Sequence, residues 1–334
     1  MIRVAMLSFW HVHAKDYAKQ ATDHPDTQIV AVWDEIPTRG QAAAQTWGGQ
    51  FYEDLDALLA QSDIDAVIVD TPTDRHRDVM VAAAQAGKHI FTEKVIAPTL
   101  REANQILAAV ERSGVKLTVS LLRVPHGYTQ AIQAILAEGR LGTPTLARVR
   151  LSHSGALPTT DNANGWLPAH FYNLDQCAGG ALIDLGCHPL YLMRHFLGMP
   201  ESVSASYGYV TGRAVEDNAV VNFRYPNGTI GTVEVSFVAG ASPFAIEVHG
   251  TAGSLLYGTP EARLLVRSAQ DAQWSQVEVP ADQPASFYQW VAHIQNGTTA
   301  TANIQTALDL TKLMEAANHS AAENRSVRLD ELAA

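Results

Sequence analysis

The first third of the chain alternates short, wholly apolar runs with longer stretches whose apolar residues recur at helical spacing. Ile2–Leu7 has the look of a buried strand, and a helix is predicted over Ala14–Asp23, closed by His24-Pro25. Residues 29–33 form a second apolar strand ending on Asp34, 55–61 read as helix, and 65–70 (DAVIVD) read as a strand followed by Thr71-Pro72. An Ala-rich helix over 77–86 stops at Gly87, a strand covers 90–92, a helix covers Leu100–Ser113 with Gly114 behind it, and 116–121 is one more strand. Glycine just past the last periodic residue stops a helix because it adopts the left-handed conformation without a Cβ clash. Apolar strands separated by helices imply a parallel sheet covered on both faces. Such a sheet binds ligands beyond the carboxyl ends of its strands.

Beyond Arg123 the period changes. A helix over 129–137 and a turn over 139–144 precede segments of alternating polarity at 145–151, 203–210, 219–225, 229–237 and 244–250, and 304–323 reads as a closing helix. Asn227-Gly228 between two of these segments is a strong hairpin signal. This half reads as a largely antiparallel sheet with a few helices.

Composition narrows the function classes. The 334 residues, 47% apolar and 17% charged, suit two ordered domains. A net charge of -11, from 23 basic against 34 acidic residues, argues against nucleic acid and anionic membranes as main partners but leaves room for a local anionic cofactor. The two cysteines, Cys177 and Cys187, are too few for a disulfide scaffold and fit a reducing, cytoplasmic setting. The opening MIRVAMLSFWHVHA reads as a first strand and not as a signal peptide, and no stretch reaches the roughly 18–20 apolar residues needed to span a bilayer.

Three stretches carry candidate chemistry. After the first strand a dinucleotide fold wants G-x-G-x-x-G, but this chain has Ser8, Phe9, Trp10, His11, Val12 and His13, with Ser8, Trp10 and His13 where the glycines would be. Backbone N–H groups at the helix start and the Ser8 hydroxyl remain available to a pyrophosphate. Phe9 and Trp10 read equally as core residues. A metal site from His11 and His13 lacks an obvious third ligand, and residues two apart do not share a helix face, so no metal is expected. Asp34 is placed to bind a ribose diol; with Glu35 it would repel a 2′-phosphate and favour NAD over NADP, an effect that Arg39 tempers.

Glu93-Lys94 closes another buried strand, where a lysine can stabilise negative charge developing on a substrate oxygen. The same two residues also read as a plain surface ion pair worth under about 1 kcal/mol. In GGALIDLGCHPLYLMRHFLG, Asp184 and His188 stand four apart, so on a regular helix both leave one face, suited to substrate binding and proton transfer. Pro189 suggests a break or kink there. The other reading is a capping Asp beside a core His, with Cys187 a small buried hydrophobe. Arg123, Trp166, His170, Tyr172 and Asn173 lie on polar, turn-rich stretches and are further candidates for substrate contact, although WLPAHFYN reads equally as a packed loop.

Taken together, IVAVWD (29–34), Thr71-Pro72 with His76, AGKHIFTEK (86–94), GRLGTP (139–144), GGALIDLGCHP (179–189) and EDNAVVNFRYPNGTIG (216–231) resemble the glucose–fructose oxidoreductase / inositol dehydrogenase (Gfo/Idh/MocA) family. The resemblance implies an α/β fold: a Rossmann NAD-binding domain over 1–121, and over 122–334 a substrate-binding and oligomerisation domain of α+β type with a large, mostly antiparallel open sheet, whose terminal helix can pack back on the first domain. It implies a nicotinamide-dependent dehydrogenase or reductase acting on a sugar or polyol, assembled as a homodimer or homotetramer. By position, Lys94 contacts the reacting oxygen and His188 is the acid/base, with Asp184 expected to bind substrate and orient His188. Thr71, Pro72, His76 and Glu93 lie near the nicotinamide and its ribose, and Asp34 reads the adenine ribose. Two departures stand out: the missing phosphate-loop glycines, and Val95 in place of the proline of a Glu-Lys-Pro motif. A cis bond before valine costs about 3–4 kcal/mol, so without the proline this chain has to aim Lys94 differently. Alternatives to the plain dehydrogenase are a redox-neutral NAD-using glycosidase or epimerase, and a non-catalytic sugar-binding or regulatory relative.

Overall fold

The computed structural model describes residues 1–258 and 261–332. The chain forms two compact units, one of Met1–Leu121 with Pro284–Leu308, the other of Leu122–Gln283 with the chain from Asp309 on. In the first unit the order is β1 (Ile2–Leu7), α1 (Ala14–Asp23), β2 (Thr27–Trp33), α2 (Pro37–Trp47), β3 (Gln50–Tyr52), α3 (Leu55–Leu59), β4 (Ala66–Val69), α4 (His76–Gln85), β5 (His89–Thr92), α5 (Leu100–Ser113) and β6 (Leu117–Val119). The six strands form a parallel sheet in the order β3-β2-β1-β4-β5-β6, a doubly wound topology whose winding reverses between β1 and β4. β1, β4, β5 and β6 are buried on both faces, as their apolar runs require, while the edge strand β3 is not. The helix Ser286–Asn296 completes this unit: Phe287 and Trp290 pack on Phe91 with ring centroids 5.6 and 5.7 Å away, and Phe91 in turn meets Tyr17 edge-on at 5.1 Å. The sequence did not announce α2, β3 or this helix.

The second unit runs α6 (Gly127–Ala137), β7 (Pro144–Ser152), α7 (Leu174–Cys177), a π-helical turn (Leu182–Gly186), α8 (Cys187–Leu197), β8 (Ser202–Gly208), β9 (Asn218–Arg224), β10 (Ile230–Ser236), β11 (Ala245–Gly250), β12 (Gly253–Gly258), β13 (Arg263–Ser268) and β14 (Ser275–Val277). After α9, the Ser286–Asn296 helix of the first unit, come α10 (Thr301–Glu323) and β15 (Val327–Arg328). Nine strands line up as β14-β13-β12-β11-β7-β10-β9-β8-β15, with β7 and β10 parallel and the remaining neighbours antiparallel. The predicted hairpin joins β9 to β10, with Gly228 in the left-handed region at φ 88°. One sheet face carries buried Val149, Val221, Phe223, Val233, Ile246 and Val248. The other carries exposed Leu146, Val220 and Ile230 beside the ion pairs Arg148–Glu247 and Arg150–Glu234. Among the described residues no helix is long and apolar enough to cross a membrane.

Candidate active site

Five strands of the parallel sheet end in a polar residue. Ser8, Asp34, Asp70, Glu93 and Ser120 directly follow β1, β2, β4, β5 and β6, and all five are buried. The register pairs Leu7 with Trp33 and Val69, Val69 with Thr92, and Thr92 with Val119, so these residues form one row along the carboxyl edge. A row of buried polar groups at the edge where doubly wound sheets bind ligands marks this edge as the functional one.

The glycine-free turn folds with Ser8 at φ 77°, the left-handed conformation a glycine supplies without strain. Its hydroxyl accepts the Trp10 N–H at 3.0 Å, the Phe9 N–H donates to Asp34 at 2.9 Å, and the His11 N–H donates to the Asp70 carbonyl at 3.2 Å. Trp10 is buried and Phe9 half-buried, so the indole belongs to the core of the turn. Asp34 is clamped by Arg39 through two bonds of 2.8 Å and by the Ile36 N–H at 2.7 Å, and Arg39 also reaches Glu35 at 2.6 Å. The guanidinium charge is thus shared between two carboxylates.

Glu93 gathers the start of α1 around itself. Its Oε1 lies 2.8 Å from His13 Nδ1 and 3.6 Å from His11 Nδ1 and accepts from the Tyr17 hydroxyl; its Oε2 accepts the Lys94 N–H at 2.7 Å. Burial opposes ionisation of Glu93, but the His11 and His13 rings and Lys94 outweigh it and hold the carboxyl well below the usual range. Burial and the charges of Glu93 and Asp70 push the Tyr17 hydroxyl far up. Lys94 is itself buried, so the plain surface ion pair is set aside. His76 spans from the Thr71 carbonyl (3.2 Å) to the Val95 carbonyl (2.9 Å), tying the end of β4 to the segment after Lys94. The peptide joining Lys94 to Val95 is cis, a geometry that the replacement of proline by Val95 argued against.

In the second unit Asp184 lies in the π-helical turn Leu182–Gly186 and His188 in the first turn of α8. The expectation of one regular helical face through both is therefore corrected, because a π turn stacks residues five apart. Pro189 stands three residues into α8, directly behind the π-helical turn, so the irregularity that the proline signals lies in the helical turn just before it. The turn is anchored by the buried Glu216 carboxylate, which accepts the N–H groups of Gly180 (3.0 Å) and Leu182 (2.9 Å); burial raises its pKa and those donors oppose the rise. His188 Nδ1 lies 2.9 Å from the Tyr191 hydroxyl, which accepts the Arg123 N–H at 3.0 Å, while the Arg123 guanidinium covers the Phe244 ring at 4.5 Å. Burial pushes the His153 imidazole down against the opposing charge of Asp184.

The loop candidates separate. Trp166 is exposed and its ring lies 4.7 Å from that of His153. Tyr172 lies under the Arg213 guanidinium at 3.7 Å. The half-buried His170 lies against Phe171, and Asn173 caps α7 by accepting the Asp175 N–H. The sequence reading missed Tyr17, Asp70, Ser120, His153, Tyr191 and Glu216. A polar residue directly after each buried apolar strand was the available signal for Asp70 and Ser120.

Comparison with known proteins identifies the family and the fold. The family model "Oxidoreductase family, NAD-binding Rossmann fold" matches residues 3–121, and "GFO/IDH/MocA C-terminal domain" matches residues 129–256. The chain is 30% identical over 271 residues to 1,5-anhydro-D-fructose reductase of Ensifer adhaerens, covering 78% of each chain. It is 29% identical over 273 residues to scyllo-inositol 2-dehydrogenase (NAD(+)) of Bacillus subtilis, covering 77% of this chain and 74% of that one. The solved levoglucosan dehydrogenase in complex with NADH and levoglucosan shares the fold, with a TM-score of 0.83 at 20% identity over 98% of this chain and 99% of that one. With an NAD-binding Rossmann unit and a second unit built on an open, mostly antiparallel sheet, the chain belongs to the Gfo/Idh/MocA family of oxidoreductases.

Proposed function

We propose that this protein oxidises or reduces a hydroxyl or carbonyl carbon of a sugar or polyol with NAD(H) as the preferred nicotinamide. The observation that carries the reading is the row of buried polar strand ends along the switch-point edge of a doubly wound sheet. The names of the related anhydrofructose reductase and scyllo-inositol dehydrogenase support the substrate class. Ser8 in its left-handed conformation gives the turn the backbone that a phosphate-loop glycine would, so the residues present fit a dinucleotide. Ser8, Phe9, Trp10 and His11 would border its phosphates, Thr71, Pro72, His76 and Glu93 its nicotinamide end, and Asp34 its adenine ribose. Asp34 and Glu35 both engage Arg39, which leaves that guanidinium less able to take a 2′-phosphate; this favours NAD over NADP. When bound, the nicotinamide supplies two-electron hydride chemistry.

The chain's own residues then divide the remaining work. Lys94 holds the reacting oxygen and stabilises negative charge on it. His188, hydrogen-bonded to Tyr191, takes or returns the hydroxyl proton, a contribution of roughly 10²–10⁴ in rate. Asp184 binds substrate, and Arg123, Trp166, His170 and Tyr172 add contacts to it. The open sheet face with exposed Leu146, Val220 and Ile230 suits assembly into a homodimer or homotetramer. The two buried, unbridged cysteines suit a cytoplasmic enzyme.

The test is calorimetric titration with NAD⁺, NADH, NADP⁺ and NADPH, followed by a sugar and polyol screen on wild type, Lys94→Ala and His188→Ala. Micromolar or tighter NAD(H) binding, weaker NADP(H) binding and a turnover loss of about 10²-fold or more in both variants, with unchanged melting, are expected. Wild-type turnover in either variant would refute its assigned role, and absence of dinucleotide binding would refute the reading as a whole.

A further inference from the structure

We propose that His11, His13 and Glu93 form a binding site for one first-row divalent cation of the Zn²⁺ type. One nitrogen from each imidazole and one oxygen from the carboxylate lie within 4.8 Å of one another. Glu93 Oε1 is 2.8 Å from His13 Nδ1 and 3.6 Å from His11 Nδ1. Ligands bound tetrahedrally at about 2.0–2.2 Å stand roughly 3.3–3.6 Å apart, so the two contacts to Glu93 bracket that spacing, and shifts of up to about 1 Å, within reach of side-chain rotation, bring all three groups to coordination distance. His11 Nδ1 also accepts the His13 N–H at 3.2 Å, a contact the ion would replace.

The backbone explains why two histidines only two residues apart converge. His13 is the N-cap of α1 and His11 lies in the turn before it, so helical spacing does not govern them. Glu93 arrives from β5, which the sheet register places two strands from β1.

The donor set and its surroundings suit a metal. Two neutral imidazoles and one carboxylate make a three-ligand set with a position open to water or a ligand. The carboxylate has the outer hydrogen bonds that ligating carboxylates need: the Tyr17 hydroxyl donates to Oε1 and stands 2.7 Å from Ser120 Oγ, and the Lys94 N–H fixes Oε2. Asp70 adds a fully buried carboxyl nearby, neither oxygen of which has a hydrogen-bond partner among the described residues. His13, with 27% of its side chain exposed, gives the ion its way in from solvent.

The site shares His11 and Glu93 with the proposed dinucleotide site, but ion binding without nucleotide and dinucleotide binding without ion are separate measurements, so either reading can fail while the other stands. The test titrates the chelator-stripped full chain, without nucleotide, with Co²⁺ followed by visible absorption and with Zn²⁺ followed by calorimetry. One ion per chain and the strong visible bands of low-coordinate Co²⁺ are expected. His13→Ala is expected to weaken binding by about 100-fold or more and Tyr17→Phe by about 10–100-fold, while His249→Ala leaves it unchanged. If His13→Ala does not fold, His13→Gln, at the same partly exposed position, gives the same comparison. Absence of bound ion, or Co²⁺ bands that persist in the folded His13 variant, overturns the proposal.

Discussion

The turn after β1 and the stretch leading into α8 each present two titratable side chains, His11 with His13 in one and Asp184 with His188 in the other. Around the first, the partners come from strands far away in sequence: Asp34 after β2, Asp70 after β4, Glu93 after β5 and Ser120 after β6. Around the second, position follows from a local irregularity, the π turn, pinned by the single carboxylate of Glu216. The first site is therefore governed by charge and the second by space. Substitutions that change volume should damage the second, and substitutions that change charge should register in the first.

The largest effect is expected at Gly180. A Cβ built there would stand 2.1 Å from the Glu216 carbonyl oxygen and 2.9 Å from its nitrogen, both backbone atoms that cannot step aside. Gly180→Ala should separate the turn from Glu216 and cost about 3 kcal/mol, seen as a fall in Tm of roughly 6–12 °C and a matching loss of turnover. A Tm within about 2 °C of wild type would show that close approach does not fix this turn.

A smaller change of opposite sign is expected at Asp70. Burial and the charges of Glu93 and Asp16 push its carboxyl far above the usual range, and neither oxygen is hydrogen-bonded among the described residues. Asp70→Asn keeps the shape and removes the charge or proton that folding has to accommodate, so Tm at pH 7 should rise by about 2–4 °C, corresponding to roughly 1 kcal/mol. A fall would show that the wild-type carboxyl has a cationic partner in solution, which the metal titration would then identify.

The same contrast explains what the sequence could reveal. Apolar spacing with His24 and Gly114 as stops marks α1 and α5 at the bounds the structure has, and strict alternation marks β7 through β11. The segment Pro37–Trp47 escaped because its buried positions are Gly40 and Ala43, too small to draw an apolar stripe. The π turn was hidden because Leu182, Ile183, Leu185 and Gly186 surround Asp184 with apolar or small residues in any helical register. Convergence of His11, His13 and Glu93 needs the strand register of the sheet, which no local pattern states. Lys94, Asp34 and His188 could be picked out as candidates because each stands beside a strong local signal: a strand end for the first two, a glycine-rich helix start for the third.

The finest test of the comparison is at Ser8. A non-glycine residue in the left-handed region costs about 1–2 kcal/mol, yet the Ser8 side chain returns part of this by accepting the Trp10 N–H at 3.0 Å and the Arg39 guanidinium at 3.3 Å. Ser8→Gly removes the strain and both bonds and adds unfolded-chain entropy of roughly 0.5–1 kcal/mol. These terms nearly cancel, so Tm should move by no more than about 2–4 °C. Function should respond more than stability, because the released Trp10 N–H can turn to a phosphate oxygen, as backbone donors do in glycine-rich turns. NAD(H) is expected to bind several-fold tighter by calorimetry with little change in Tm. Unchanged affinity would mean that the indole of Trp10, and not the seryl side chain, sets how closely the turn lets a phosphate approach; Trp10→Gly should then give the gain that Ser8→Gly did not.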